Sequence, residues 1–228
     1  MKSEENKYKI LNLYACLGGN RAKWDEVAKE AGVEIEVTAV ELDPELAILY
    51  QERFPNDIVI VADAHQYLLD HYKNFDFIWS SPPCPSHSRA RFWGSKGGLC
   101  EPVYPDMSLY QEILFLKHWC ECKWVVENVI PYYTPLIQGY QRDRHIYWSN
   151  FNLPTILSNR DISGIVSSGK NEIKKLSEIH EYDFSKYKGQ QRLNKIARNL
   201  VDYEAGRTIL ETALGIIRKS NIKQQTLF

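Results

Sequence analysis

The 228-residue sequence has no excess of either charge. Its net charge of -1 at neutral pH gives no global pull toward nucleic acid or a membrane surface, so any nucleic-acid site must be a local basic patch. It has no apolar run near the length that crosses a bilayer, and its first residues, "MKSEENKYKI", lack the apolar stretch of a secretion signal. A cytoplasmic protein without membrane contact is the expectation. Cysteine is sparse: Cys16, Cys84, Cys100, Cys120 and Cys122 make an odd set with no CxxC pair, which disfavours both a disulfide framework and a zinc site. Free thiols and no metal are expected, with Cys120 and Cys122 packed beside a strand-like run. Also missing are a GxGxxG turn and a GK[ST] loop, which argues against a nucleotide with an extended phosphate chain. There is no internal repeat and no low-complexity tract.

What is present suits one domain with a substantial core: 44% of residues are hydrophobic and 25% charged. Strand-like and helix-like stretches alternate. "KYKILNLYA" is a β-rich run that ends in the glycine turn "CLGGN", and "RAKWDEVAKEAGV" then puts Trp24, Val27, Ala28 and Ala31 on one helical face. "EIEVTAVELD" is the next strand and "PELAILYQERF" a helix opened by Pro44. "DIVIVAD", "FDFIWSS" and "KWVVENV" are further strands, with helices in "AHQYLLDHY" and "DMSLYQEILFLKHWC". This repetition predicts an α/β fold with a doubly wound, mostly parallel sheet whose ligands sit at the strand carboxyl ends. Residues 1–150 form the expected core. "HIYWSNFNLP" reads as one more strand, residues 151–190 as a small recognition insertion, and residues 191–220 as helices returning to the core.

Chemistry-bearing residues recur at the strand ends: Gly18 and Gly19, Glu41, Asp63, Cys84, and Glu127 with Asn128. The two glycines let a small ligand approach the backbone, Glu41 is placed to accept from ribose hydroxyls about 20 residues on, and Asp63 to meet an adenine amino group. That describes an adenosine-containing ligand without required phosphates, which S-adenosylmethionine satisfies. Each carboxylate taken singly also reads as a cap or a solvated charge, and Cys84 as packing.

In this order, the glycine turn, "ELD", "VAD", "SSPPCPSHS" and "VVENV" resemble the motifs of the DNA cytosine-5 methyltransferase family, and the resemblance covers most of the chain. "QRDRHIYW" resembles the family's Gln/Arg motif, and "RNLVDYEAG" more weakly its last cofactor motif. The resemblance implies a Rossmann-like fold that binds S-adenosylmethionine through Tyr14, Leu17, Gly18, Gly19, Glu41, Leu42, Asp63, Pro83 and Asn199. Cys84 would be the nucleophile, its thiolate favoured by a helix N-terminus or nearby positive charge. Glu127 would bind cytosine N3 and the exocyclic amine, and Arg144 the base's O2 with Arg142 as support. The cytosine would be flipped out of double-stranded DNA. "PSHSRARFWGSKGGLC" fits a mobile loop that closes on the DNA, with Ser86, His87, Ser88, Arg89, Arg91 and Lys96 as contacts and Gly94, Gly97 and Gly98 as flexible points. A solvated basic loop is the plainer alternative.

Several positions depart from the family. Asn12 stands where Asp is usual, Cys16 where Gly is, and Pro85 where Gln is common, while the spacing after Gln141 is one residue short. The recognition region is small, which implies a short target sequence. The ending "QQTLF" within residues 221–228 resembles the peptide that bacterial sliding-clamp partners carry, with Gln224, Leu227 and Phe228 as anchors. A compact enzyme of bacterial or phage type, monomeric, is the leading expectation. An RNA cytosine-5 methyltransferase and a non-catalytic nucleic-acid-binding relative are the alternatives.

Overall fold

The structure is a computed structural model that describes residues 7–160 and 171–216. The clamp-peptide reading of Gln224, Leu227 and Phe228 therefore lies outside the described residues.

Alternation along the strands builds the core. In β1 (Tyr8–Leu13) Ile10 faces one side while Leu11 and Leu13 face the other; in β4 (Phe77–Ser80) Phe77 and Trp79 oppose Ile78; in β5 (Lys123–Val129) Val125 opposes Trp124 and Val126. Both faces are thus apolar, as a sheet covered on both sides requires. With β2 (Ile35–Glu41), β3 (Ile58–Val61), β6 (Tyr140–Arg142) and β7 (His145–Ser149), the sheet order is β3-β2-β1-β4-β5-β7-β6. Strands β1 to β5 pair in parallel, and β7 runs antiparallel to both β5 and β6.

On one face lie α1 (Trp24–Ala31) and α8 (Tyr203–Ala213), with Trp24, Val27, Ile209 and Leu210 in the layer beneath them. The other face is covered by α3 (Ala64–His71) and α5 (Ser108–Trp119) through Leu68, Ile113 and Leu116. Trp24 Nε1 donates to the Gly206 carbonyl, and a Cβ at Gly206 would lie 2.1 Å from the Asn20 carbonyl oxygen, so only glycine lets α8 approach this closely. Gly206→Ala is expected to lower the unfolding midpoint in urea by an amount equivalent to roughly 1–3 kcal/mol, the usual cost of overpacking. An unchanged midpoint would contradict that packing.

Three expectations need correction. The segment read as a mobile loop contains a helix, α4 (Arg89–Lys96), because the Ser88 side chain caps it by accepting from the Arg91 N–H. "HIYWSNFNLP" is a strand only over its first five residues, and a short strand, β6, precedes it. The described part of 151–190 is also not an appendage on the sheet. It contains α6 (Glu172–His180), and Leu176, Phe184 and Tyr187 share a core with Leu46 and Leu49 of α2 (Pro44–Arg53) and Ile196 of α7 (Leu193–Asn199). No helix among the described residues is long and apolar enough to cross a membrane.

Candidate active site

A cavity of about 680 Å³ opens at the carboxyl ends of the strands, within the size range of ligand sites. Its walls include Tyr14, Gly19, Glu41, Leu42, Asp63, Pro83, Cys84, Glu127 and Asn199. Residues from six separate stretches of sequence therefore converge on one space. Leu17 and Gly18 do not line it: Leu17 is fully buried in the α2–α7 core, and Gly18 lies against Tyr50 and Phe54, where a Cβ would come within 2.4 Å of the Phe54 ring.

The turn after β1 bends through three left-handed residues, Tyr14 (φ 57°), Cys16 (φ 48°) and Gly18 (φ 66°). Glu41 holds it, accepting from the Cys16 N–H at 2.7 Å and, with its other oxygen, from the Asp43 N–H at 2.9 Å. Burial raises the Glu41 carboxyl above its ordinary range, with those backbone donors opposing. Glu41 thus shapes both loops and keeps lone pairs free toward the cavity. Asp63 caps α3 through the Gln66 N–H. Asn12 accepts from the Asn20 amide within a buried network, where a neutral side chain adds no second anion near Asp57.

Glu112, fully buried on α5, ties three of these loops together. It accepts from Tyr14 Oη at 2.5 Å and Ser80 Oγ at 2.6 Å, and lies 3.0 Å from His65 Nδ1. That contact raises the His65 pKa. Glu112→Ala leaves two hydroxyls without their acceptor, and a stability loss of about 2–3 kcal/mol is expected in thermal or urea unfolding. A loss near zero would show that the loops do not depend on it.

Around Cys84, Asn128 Nδ2 donates to the Pro82 carbonyl at 2.9 Å, so the residue after Glu127 fixes the "PPC" turn. Downstream, the Cys84 carbonyl accepts from the His87 N–H, and His87 Nδ1 meets Tyr133 Oη at 2.6 Å. His87, expected to contact DNA, is fully buried and acts as an anchor of this turn. Ser86 accepts from the Asp106 N–H, and Ser88 is the helix cap. Arg91 is half-buried, donating to the Glu101 carbonyl, whereas Arg89 and Lys96 are exposed with Trp93 beside them. The thiol differs from expectation: burial, then the neighbouring Glu127, pushes Cys84 up to about 11, with only weak opposition from Lys195 and a backbone hydrogen bond.

Arg142 and Arg144 stand outside the cavity. Arg142 donates to the carbonyls of Gln141, Leu153 and Pro154, and Arg144 is exposed at the two-residue turn between β6 and β7, next to Asp143 with φ 50°. The cavity instead holds residues that sequence reasoning passed over: His65, Asp43, His145 and, from α7, Lys195. His145 was within reach of the sequence, since it lies in the quoted "QRDRHIYW" run. Among the described residues, no cluster of three or more metal-ligating side chains occurs.

A mostly parallel sheet with β7 antiparallel carries, at its strand ends, a cavity that unites Gly19, Glu41 and Asp63, the place where an open α/β sheet binds ligands. Residues 8–101 match the family model described as C-5 cytosine-specific DNA methylase, the stretch that carries the turn, both carboxylates and Cys84. Among solved structures, the chain is similar to a mutant of DNMT2 from Spodoptera frugiperda, at 25% identity and a TM-score of 0.38 over 54% of this chain and 36% of that one. It is also similar to a candidate DNA modification methyltransferase encoded within an E. coli prophage, at 19% identity and a TM-score of 0.37 over 56% and 34%. A third, a candidate methyltransferase complexed with SAH, shares 17% identity with a TM-score of 0.34 over 53% and 30%. The aligned parts thus span about a third of those chains. The curated proteins include no match.

Proposed function

We propose that the chain methylates carbon 5 of cytosine in double-stranded DNA. The observation that carries the proposal is that Cys84 and Glu127 share one cavity with Gly19, Glu41, Asp63 and Asn199. These residues suit the methyl donor: Glu41 retains acceptor capacity for ribose hydroxyls and Asp63 for an adenine amine. When bound, S-adenosylmethionine supplies an electrophilic methyl group.

Cytosine C5 is a weak nucleophile, and Cys84 corrects this. Its thiol gives its proton to water, the sulfur bonds to C6, and the C5=C6 electron pair becomes available at C5 to take the methyl group. A proton carried on Glu127 is donated to N3 while the other carboxyl oxygen accepts from the exocyclic amine, so the charge that develops as sulfur adds is met at N3. Water then removes the C5 proton, the electron pair re-forms C5=C6, and the C6–S bond breaks to release the thiolate. Asn128 contributes by holding the Pro82 carbonyl and hence the sulfur's position. The exposed Arg89 and Lys96 beside this turn are placed to contact phosphates.

Transfer of labelled methyl groups to unmethylated duplex DNA and to total RNA, followed by bisulfite sequencing, tests the reading. Conversion-resistant cytosines in one DNA context are expected, with none for Cys84→Ser. Labelled RNA with unlabelled DNA would redirect the assignment to RNA, and no label in either would overturn it.

A further inference from the structure

The hairpin at the sheet edge decides which side chain faces the target base. In β5, Glu127 pairs with Tyr147 and Val129 with His145, so His145 stands on the same face as Glu127, one position diagonal to it. Arg144 lies in the turn before β7, outside the strand, and is exposed. Arg142 pairs directly with His145, but its guanidinium is held by three backbone carbonyls. His145 alone of the three reaches the cavity wall, with Nε2 at 3.5 Å from Glu127 Oε1. That separation is beyond a good hydrogen bond, which leaves the ring nitrogen able to turn to a ligand beside Glu127. In this hairpin the register Arg142↔His145 and Val129↔His145 puts His145 at the cavity-facing position.

We infer that His145 holds the cytosine by donating from Nε2 to its O2 carbonyl while Glu127 engages N3. This rests on the proposed function and deepens it. O2 and the amine flank N3 on the ring, so a donor adjacent to a carboxylate bound at N3 meets O2. As sulfur adds at C6, electron density rises on N3 and O2 together, and two neighbouring groups aimed at those atoms stabilise the same change. A neutral imidazole with its proton on Nε2 is sufficient, and the buried site needs no additional cation.

The test compares wild type, His145→Ala, His145→Gln and Arg144→Ala in methyl transfer to an unmethylated plasmid, with S-adenosylhomocysteine binding measured by calorimetry on each. His145→Ala is expected to lower kcat/KM for DNA by about 100-fold, the usual loss of one donor to a developing charge. Its S-adenosylhomocysteine affinity should stay within twofold of wild type, a split that general unfolding would not give. His145→Gln, which retains an N–H donor, should recover at least tenfold of the loss. Should His145→Ala misfold and lose S-adenosylhomocysteine binding, the Gln variant decides: activity within tenfold of wild type supports the proposal, and inactivity in a protein that still binds overturns it. Unchanged activity in His145→Ala, or a comparable loss in Arg144→Ala alone, would assign O2 to another group. A wild type that methylates nothing would overturn the proposed function and this inference together, whereas active wild type with unaffected His145→Ala would overturn only the latter.

Discussion

Iodoacetamide is expected to modify Cys84 of the ligand-free protein at least about 100-fold more slowly at pH 7 than an ordinary exposed cysteine, and about tenfold faster with each further pH unit. The cause is that burial and the Glu127 carboxylate keep the thiol protonated up to about 11. Only the thiolate reacts, so over pH 7 to 9.5 the rate should climb without a plateau. The slope, rather than the absolute rate, is diagnostic, since burial alone slows access equally at every pH. Peptide mass spectrometry resolves Cys84 from Cys120, whose thiol is shifted downward by the hydrogen bond from Cys122 and should react earlier. A plateau below pH 9 would mean that a positive group not seen near Cys84 stabilises its anion. The ligand-free thiol is thus expected to resist alkylation at neutral pH.

Arg21→Ala should cost roughly 3–5 kcal/mol of stability, because it strands a buried carboxylate. Arg21 Nη2 and Nε meet the two oxygens of Asp57 at 2.8 and 2.9 Å, both side chains being less than 5% exposed. Tyr50 Oη also donates to Asp57, and the guanidinium lies 5.0 Å from the centre of the Phe54 ring. Tyr50 and Phe54 are the rings against which Gly18 packs, so the ion pair supports the glycine turn from behind. The second arm of Arg21, to the exposed Asp25, adds little by comparison. Urea unfolding of Arg21→Ala, Asp57→Leu and the pair Arg21→Met with Asp57→Leu separates the terms: the double variant should lose less than Arg21→Ala, since neither charge remains unpaired. A loss under 1 kcal/mol for Arg21→Ala would show that water reaches Asp57.

The parallel strands and the residues at their ends were legible in sequence for one physical reason. Each strand is a short apolar run, and polar residues at or just beyond its carboxyl end, such as Glu41, Asp63 and Cys84, border the cavity. The edge hairpin was not legible. "YQR" is a three-residue polar strand with no periodicity, and whether Arg144 or His145 enters the cavity depends on pairing register, which a motif does not encode. α4 was obscured by Gly94 within "RARFWGSK", although Ser88 offered a cap. His87 sits among apparent DNA contacts, and only the position of Tyr133, 46 residues away, makes it a buried anchor.

The left-handed backbone at Cys16 bears on why glycine is dispensable there. Holding a residue with a Cβ at φ 48° costs the folded chain about 1–2 kcal/mol. Glycine would remove that cost, yet would give the unfolded chain extra freedom worth about 0.5–1 kcal/mol and forfeit the contact Cys16 makes with the α2–α7 core. The two states are penalised by similar amounts, so Cys16 and glycine are close to thermodynamically equivalent at this turn. A single base change interconverts their codons, so what separates the two residues at this turn is the side chain that Cys16 places at the cavity wall.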